Sequence, residues 1–169
     1  IHTKKSLYTG SEQSAWRRYL VSSLLGSSER ISWILGTLAA NPQLGIVYPE
    51  SHPAVPLWAH TWLGNLSACR DLGRRMGLAI EPAAYVDFPA GSMFWARVDA
   101  LRPLYDLNLE PDDFPPESGQ TDGTLQHAVE RLLVEAARHG GLMAGILPAD
   151  GRLALSSDGG RNWETYFRS

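Results

Sequence analysis

The chain has 169 residues, of which 44% are hydrophobic and 20% charged, so it fits one globular domain and is not a disordered protein. It has 15 Lys and Arg against 18 Asp and Glu, and the formal net charge of −3 argues against a protein that mainly binds nucleic acid. Cys69 is the only cysteine, which excludes an internal disulfide and favours a reducing compartment. We expect Cys69 to be a buried apolar residue and not a nucleophile. No apolar run approaches the ~18–20 residues of a membrane span.

The spacing of apolar residues predicts two helices at the start of the chain. The first follows capping residues around Ser11, and the segment Gly26–Glu29 ends it and caps the second. Asn41-Pro42 ends the second helix, because a residue before proline avoids the helical conformation. The run Leu44–Tyr48 is short and continuously apolar, which is typical of a buried strand.

The middle of the chain predicts one long helix and a second strand. The helix extends from near Ala59 to Met76 and is closed by Gly77. After a proline-containing turn, Ser92–Arg97 is predicted to be a buried strand. A short helical turn follows at Asp99–Leu104 and is expected to break at its own proline.

The last third begins with an acidic, proline-containing loop over residues 106–120. Thr121 or Asp122 is expected to cap a helix that Gly140-Gly141 ends. A weak last strand is predicted for Gly141–Leu147. Helices that alternate with buried strands indicate an α/β sandwich, with helices packed on a small mixed sheet. We assign residues 1–147 to the domain and 148–169 to a C-terminal tail.

Motif searches exclude several enzyme classes. The chain has no Gly-x-Gly-x-x-Gly, Walker loop, His-Glu-x-x-His or nucleophile elbow. Its histidines stand at positions 2, 52, 60, 127 and 139, and no two have the i, i+4 spacing of a helical zinc site. A metal hydrolase is therefore not expected.

The first of three notable segments is His2–Ser6, which combines an imidazole, two hydroxyl groups and the ammonium groups of Lys4 and Lys5. These donors suit a diphosphate. The alternative is a solvated terminus, which spacing alone favours.

The second segment, 87–97, has a Pro-Ala-Gly-Ser turn that leads into an aromatic strand. Aromatic faces stack on the apolar patches of sugar rings, so the segment suits a sugar site. For Phe94 or Trp95 taken alone, a place in the hydrophobic core is the better interpretation.

The third segment, 112–132, has Asp122 at a helix start and His127 five residues later. The alternative for Asp122 is an N-cap that contributes ~1 kcal/mol.

These segments, in this order, resemble the rhamnan synthesis protein F family of bacterial polysaccharide glycosyltransferases. The resemblance covers most of the chain up to about His139. Its matching stretches are 2–6, 15–20 with the continuation 24–27, 41–50, 88–104 and 112–132. It implies a partial nucleotide-sugar transferase fold of the GT-A type and the transfer of a sugar such as rhamnose to a growing rhamnan, O-antigen or lipopolysaccharide. The implied location is the cytoplasm or the cytoplasmic face of the inner membrane.

The resemblance also implies roles for individual residues. His2, Lys4 and Lys5 stand where that fold carries a metal-binding Asp-x-Asp, and they would bind the donor diphosphate without a metal. Asp122 would be the general base, with His127 in support. The acceptor side would be formed by the turn, the aromatic strand and the acidic loop, at Gly91, Ser92, Trp95, Asp112 and Asp113.

The implied partners are a nucleotide-sugar donor, with dTDP-rhamnose one candidate, a glycan or lipid-linked glycan acceptor, and the rest of a larger polypeptide with the N-terminal nucleotide-binding strands that this chain lacks. No nucleic acid, no transmembrane segment and no cofactor are expected; Mg²⁺ or Mn²⁺ is the alternative to metal independence.

The second hypothesis for the function is a non-catalytic carbohydrate-binding or interaction module. A third, weaker one is a docking domain that uses the aromatic C-terminal tail. For Asp112 and Asp113, a solvated connector is as well supported as a binding role.

Overall fold

The computed structural model describes residues 12–116, 118–120, 122–148, 154–156 and 163–165. Helices and strands alternate along these ranges, as the apolar spacing predicts. The α-helices are α1 Glu12–Leu25, α2 Ser28–Ala40, α3 Leu66–Met76, α4 Arg102–Tyr105 and α5 Leu125–His139. The strands are β1 Leu44–Pro49, β2 Trp95–Ala96, β3 Met143–Leu147, β4 Ala154–Ser156 and β5 Trp163–Thr165. No helix in the described part of the chain has the length and apolar character needed to cross a bilayer.

The strands form one mixed sheet in the order β2-β1-β3-β4-β5. Within the described part of the chain, β1 and β3 pair in parallel and the other three pairs of strands are antiparallel. Tyr48 of β1 lies opposite Ile146 of β3, close to the end of both strands. The carboxyl ends of β1 and β3 therefore meet at one edge of the sheet, which is where open α/β sheets bind their ligands.

The two faces of the sheet are covered by different helices. On one face α1 and α2 pack against Leu44, Val47 and Leu147. On the other face α5 and the turn Val98–Leu101 pack against Ile46 and Ala144. A third apolar cluster joins α3 and α5 to the extended segment 86–90. The predicted α/β sandwich with a small mixed sheet is confirmed.

Local capping explains the ends of the early helices. The Ser27 hydroxyl accepts from the backbone N–H of Arg30 at 3.1 Å and so begins α2. The Asn41 side chain donates to the Thr37 carbonyl at 2.7 Å and helps to end it. Gly77 ends α3 in the left-handed conformation, with φ +79°. Each of these ends agrees with the sequence prediction.

The predicted helix start at Ala59 is wrong, because α3 begins only at Leu66. Two short 3-10 turns, Leu57–Ala59 and Leu63–Asn65, precede it. Leu63 has φ +48°, and a left-handed residue cannot continue a right-handed helix.

The predicted strand Ser92–Arg97 is shorter than expected and consists of β2 alone. Gly91 has φ +91° and Ser92 has φ +54°, so the chain turns here and only Trp95 and Ala96 pair with β1. Pro103 does not break the helical turn that contains it. It lies in the first turn of α4, where the missing N–H has no helical partner in any case.

The predicted cap of α5 is also wrong. The N-cap is Thr124, whose side chain accepts from the backbone N–H of His127. Asp122 lies two residues earlier, and Thr121 is outside the described residues. The last predicted strand, expected over Gly141–Leu147, begins at Met143 and is almost fully buried between β1 and β4. The segment 148–169, predicted to be a tail, contains the strands β4 and β5.

The turn at Gly91 yields a stability prediction. Alanine at this position has to adopt a φ of +91°, and its Cβ would lie 2.8 Å from a Leu20 methyl carbon. We expect Gly91→Ala to lower the free energy of unfolding by about 1–3 kcal/mol in a urea titration followed by circular dichroism. The matched control is Gly36→Ala in α2, where no atom lies within 4 Å of the added Cβ. This change should raise stability by about 0.5–1 kcal/mol, and equal effects of the two substitutions would contradict the prediction.

Candidate functional site

The predicted diphosphate-binding residues His2, Lys4 and Lys5 lie outside the described residues, so their role stays a prediction. Among the described residues no group of three His, Cys, Asp or Glu side chains is arranged to hold a metal ion. The other predicted site residues are described, and each has defined contacts.

Asp122 links the start of α5 to the turn before α3. One carboxylate oxygen accepts from the backbone N–H of Gly64 at 2.8 Å. The other accepts from the Asn65 amide and lies 3.2 Å from the guanidinium of Arg131. Three protein donors thus use three of about four lone-pair positions of the carboxylate, and the side chain is 25% exposed.

His127 and Arg131 hold the same junction from the side of α5. The ring Nδ1 of His127 lies 2.7 Å from the hydroxyl of the capping residue Thr124. Arg131 is 5% exposed, donates to the Thr61 carbonyl at 3.0 Å and lies over the ring of Phe88. The predicted pair of Asp122 and His127 therefore lies on neighbouring turns of one junction, but no described hydrogen bond joins their side chains.

The predicted acceptor residues Gly91 and Ser92 both bind Glu130 of α5. The Gly91 N–H donates to one carboxylate oxygen of Glu130 at 2.9 Å, and the Ser92 hydroxyl donates to the same oxygen at 2.8 Å. Trp95 packs against the apolar cluster of α1 and α2, and its indole N–H lies 3.3 Å from the Leu24 carbonyl. These three residues connect the turn and β2 to the surrounding helices.

Asp112 and Asp113 form part of a 3-10 turn in the acidic loop. The Asp113 carboxylate accepts from the backbone N–H of Glu110 at 2.8 Å, in a capping box. Both side chains are exposed. No described hydrogen bond or ion pair joins Asp112 or Asp113 to Asp122 or Ser92.

A pocket of about 340 Å³ lies at the carboxyl ends of β1 and β3. The sequence predicts no site at this position. Its polar and aromatic lining comes from three parts of the chain: Tyr48, Ser51, His60, Tyr85, Asp87 and Phe88. Glu50 also lines it, and Val55, Leu57, Ile146 and Pro148 form an apolar wall. Of the residues that the structure describes, no lysine or arginine lines this pocket.

Ser51 and His60 form a hydrogen-bonded pair in this pocket. The Ser51 hydroxyl oxygen lies 2.7 Å from Nε2 of His60, and Nδ1 of the same ring lies 3.0 Å from the Val86 carbonyl oxygen. A carbonyl oxygen only accepts, so in the neutral ring Nδ1 carries the proton and donates to Val86. Nε2 then accepts from Ser51, which leaves the lone pairs of the serine oxygen free to accept.

Tyr48 lines the pocket and is 3% exposed. Its hydroxyl has no hydrogen-bond partner among the described residues. Burial and, second, the charge of Asp87 hold the pKa of this phenol well above its ordinary value. The group is therefore a neutral hydroxyl at physiological pH. Buried polar groups normally have partners, so this hydroxyl is a candidate contact for a ligand in the pocket.

Asp87 is 3% exposed and forms an ion pair with Arg138 of α5 at 2.9 Å. Arg138 is also 2.8 Å from Glu135, one turn earlier on the same helix. Burial alone would lower the pKa of Arg138, but its bonds to Asp87 and Glu135 outweigh burial and raise it. The pair fixes the segment 85–88 against α5 and so holds one wall of the pocket in place.

Aromatic rings form part of the pocket lining. The Tyr85 ring stacks on the His60 ring, with centroids 5.2 Å apart and planes 10° from parallel, and Phe88 packs against the same imidazole. Tyr85 is 45% exposed. Leu57, which also lines the pocket, is largely exposed.

Cys69 is completely buried, as predicted. Burial raises the pKa of its thiol from 9.0 to about 12. The thiol is therefore protonated throughout the physiological range and is not a nucleophile.

Sequence reasoning missed the pocket because none of its residues forms a motif. His60 has no second histidine at the spacing of a metal site, and the helix expected from near Ala59 included it. One pattern could have indicated the site. Tyr48 lies near the end of the buried strand, Glu50 and Ser51 follow it directly, and polar residues at the carboxyl end of an α/β strand commonly face a ligand.

Comparison with known proteins places the chain among related sequences. The sequence profile of a family described as rhamnan synthesis protein F matches residues 1–141. Two proteins from two strains of Xanthomonas campestris pv. campestris, each named uncharacterized protein WxcX, are 40% identical over 141 residues. The match covers 83% of this chain and 20% of theirs, so the chain spans about a fifth of the length of these curated relatives. No solved structure matches the chain.

Proposed function

Because the chain belongs to the rhamnan synthesis protein F family, we propose that the protein containing it transfers a sugar from a nucleotide-diphosphate donor to a growing bacterial polysaccharide. The family description supports a role in polysaccharide synthesis. The structural observation that carries the proposal is the pocket at the carboxyl ends of β1 and β3, which has aromatic walls and several polar groups. Ligand sites of α/β proteins have this location and this lining.

In this proposal the chain is the acceptor-side part of a GT-A-like transferase. The bond between the anomeric carbon and the diphosphate oxygen breaks, and a bond to an acceptor hydroxyl oxygen forms. The proton of that hydroxyl moves to a base, and the nucleoside diphosphate leaves. Asp122 is our candidate for the base, through the carboxylate position that Gly64, Asn65 and Arg131 leave open.

Lys4 and Lys5, with His2, are proposed to neutralise the leaving diphosphate in place of a metal. Two ammonium groups bind phosphate oxygens directly, whereas a cation beside them would be repelled. Mg²⁺ or Mn²⁺ is the alternative, and chelation distinguishes the two.

The test is a transfer assay with the whole protein that contains this chain. The donor is dTDP-rhamnose, the acceptor is a rhamnose oligosaccharide, and mass spectrometry detects the product. We expect the acceptor to gain one sugar, equally with and without EDTA. Activity that is lost in EDTA and restored by Mg²⁺ would contradict the metal-independent part, and the absence of product with this and other nucleotide sugars would contradict transfer.

One observation favours a second function, a non-catalytic carbohydrate-binding module. The Asp122 carboxylate is held by three protein donors, which is an arrangement typical of a structural carboxylate. A protein of this kind would bind the oligosaccharide in calorimetry and show neither donor binding nor product. The pocket suits both functions, so the transfer assay decides between them.

A further inference from the structure

The hydrogen-bonding groups of the pocket point to a ligand of one chemical class. Ser51 presents a hydroxyl oxygen whose proton is directed to His60, so it is an acceptor. Glu50 and Asp87 add carboxylates, which also only accept. A pocket with many acceptors complements a ligand with many O–H donors.

The same inventory disfavours a phosphate-bearing ligand. Phosphate sites are built from lysine, arginine or clustered backbone N–H groups. No lysine or arginine of the described part of the chain lines this pocket. The carboxylate of Glu50 would repel a diphosphate, whereas the charge of Asp87 is compensated by Arg138. The volume of about 340 Å³ lies at the lower end of the ~300–1,000 Å³ found for small-molecule sites, which suits one or two rings.

The unpartnered Tyr48 hydroxyl is an independent indication of a ligand. It is buried, belongs to a residue that lines the pocket, and has no hydrogen bond within the described structure. As a neutral phenol it can donate to a ring oxygen or accept from a hydroxyl. The exposed part of Tyr85 adds an aromatic surface on which the apolar side of a sugar ring can pack.

We propose that this pocket is a subsite for an uncharged pyranose ring of the acceptor glycan, separate from the site of the donor diphosphate. The proposal rests on the function proposed above and adds the class of ligand and its contacts. The sugar packs on Tyr85, its hydroxyl groups donate to Ser51 and to the carboxylates, and its innermost oxygen bonds to Tyr48.

The test measures the affinity of the whole protein for two probes by isothermal titration calorimetry. One probe is a rhamnose tetrasaccharide and the other is dTDP-rhamnose. Tyr85→Leu removes the aromatic surface, and we expect it to weaken tetrasaccharide binding by at least about fivefold and to leave dTDP-rhamnose binding unchanged. Tyr105→Leu is the matched control, because Tyr105 is 62% exposed and is not part of the pocket.

Tyr48→Phe separates a ligand role from a structural one. The substitution keeps the ring and removes a hydroxyl that has no partner among the described residues, so the melting temperature should be unchanged or higher. Tetrasaccharide binding should nevertheless weaken by about tenfold, which corresponds to the loss of one hydrogen bond. A structural tyrosine would give the opposite result, a lower melting temperature with unchanged affinity.

The two hypotheses fail in different ways. If Tyr85→Leu and Tyr48→Phe leave tetrasaccharide binding unchanged, or weaken dTDP-rhamnose binding instead, the acceptor subsite is wrong even if the wild-type protein transfers sugar. If both variants weaken tetrasaccharide binding but the wild-type protein forms no product, the subsite stands and the proposed transfer falls.

Discussion

Replacing Asp122 by asparagine is expected to lower the rate of sugar transfer by about 10²–10⁴-fold, because loss of a general base typically has an effect of this size. The measurement is kcat/KM for the acceptor, at saturating donor, in the whole protein. Asparagine is also expected to lower stability by about 2–3 kcal/mol. In asparagine an NH₂ group replaces one carboxylate oxygen, so a donor then faces the N–H of Gly64 or of Asn65. The substitution also removes the negative charge that pairs with the buried Arg131.

A second substitution separates these two effects. Arg131→Met breaks the same ion pair but keeps the Asp122 carboxylate and its bonds to Gly64 and Asn65. Below both melting temperatures, Arg131→Met should retain most of the transfer rate that Asp122→Asn loses. Equal losses in the two variants, in proportion to the fraction of unfolded protein, would show that Asp122 has only a structural role.

The largest effect on stability is expected for Arg138→Met. The substitution leaves the Asp87 carboxylate, only 3% exposed, without its ion-pair partner. Removing one partner of a buried pair typically lowers the free energy of unfolding by about 3–5 kcal/mol. The measurement is the urea-unfolding free energy. Since Asp87 also lines the pocket, tetrasaccharide binding should weaken in the same variant.

Arg74→Met provides the comparison for this prediction. Arg74 and Asp71 form an ion pair of similar chemistry on α3, but their side chains are 77% and 63% exposed. Exposed pairs contribute little, so stability should change by less than about 1 kcal/mol. If Arg138→Met and Arg74→Met have similar effects, the Asp87–Arg138 pair does not stabilise the pocket wall.

The sequence predicted those features that depend on neighbouring residues. The end of α3 at Gly77 needs a residue that accepts a positive φ, and the cap at Ser27 needs a short side chain with an oxygen. Apolar runs located β1 and β3 because both strands are buried on both faces. In each case the determining interaction lies within a few residues along the chain.

Features that depend on distant partners could not be predicted in this way. Asp122 binds Gly64 and Asn65, which are 58 and 57 positions away, so its role as a link between two elements has no local pattern. The Ser51–His60 pair also lacks a local pattern, because its two members are nine positions apart and are joined by a loop and the 3-10 turn Leu57–Ala59. The roles assigned to Asp122, His127 and the acceptor residues stay predictions that the described contacts do not test.

The parallel pairing of β1 with β3 has a consequence for the order of folding. Leu44 pairs with Met143, about 100 positions along the chain, and closing a flexible loop of that length costs roughly 4 kcal/mol of entropy. We expect the intervening helices to form and dock first, because they shorten the loop that the two strands must close. The pocket, which needs the ends of both strands, is complete only once this non-local pairing has formed. A sugar that binds only the completed pocket should therefore stabilise the folded state and slow unfolding.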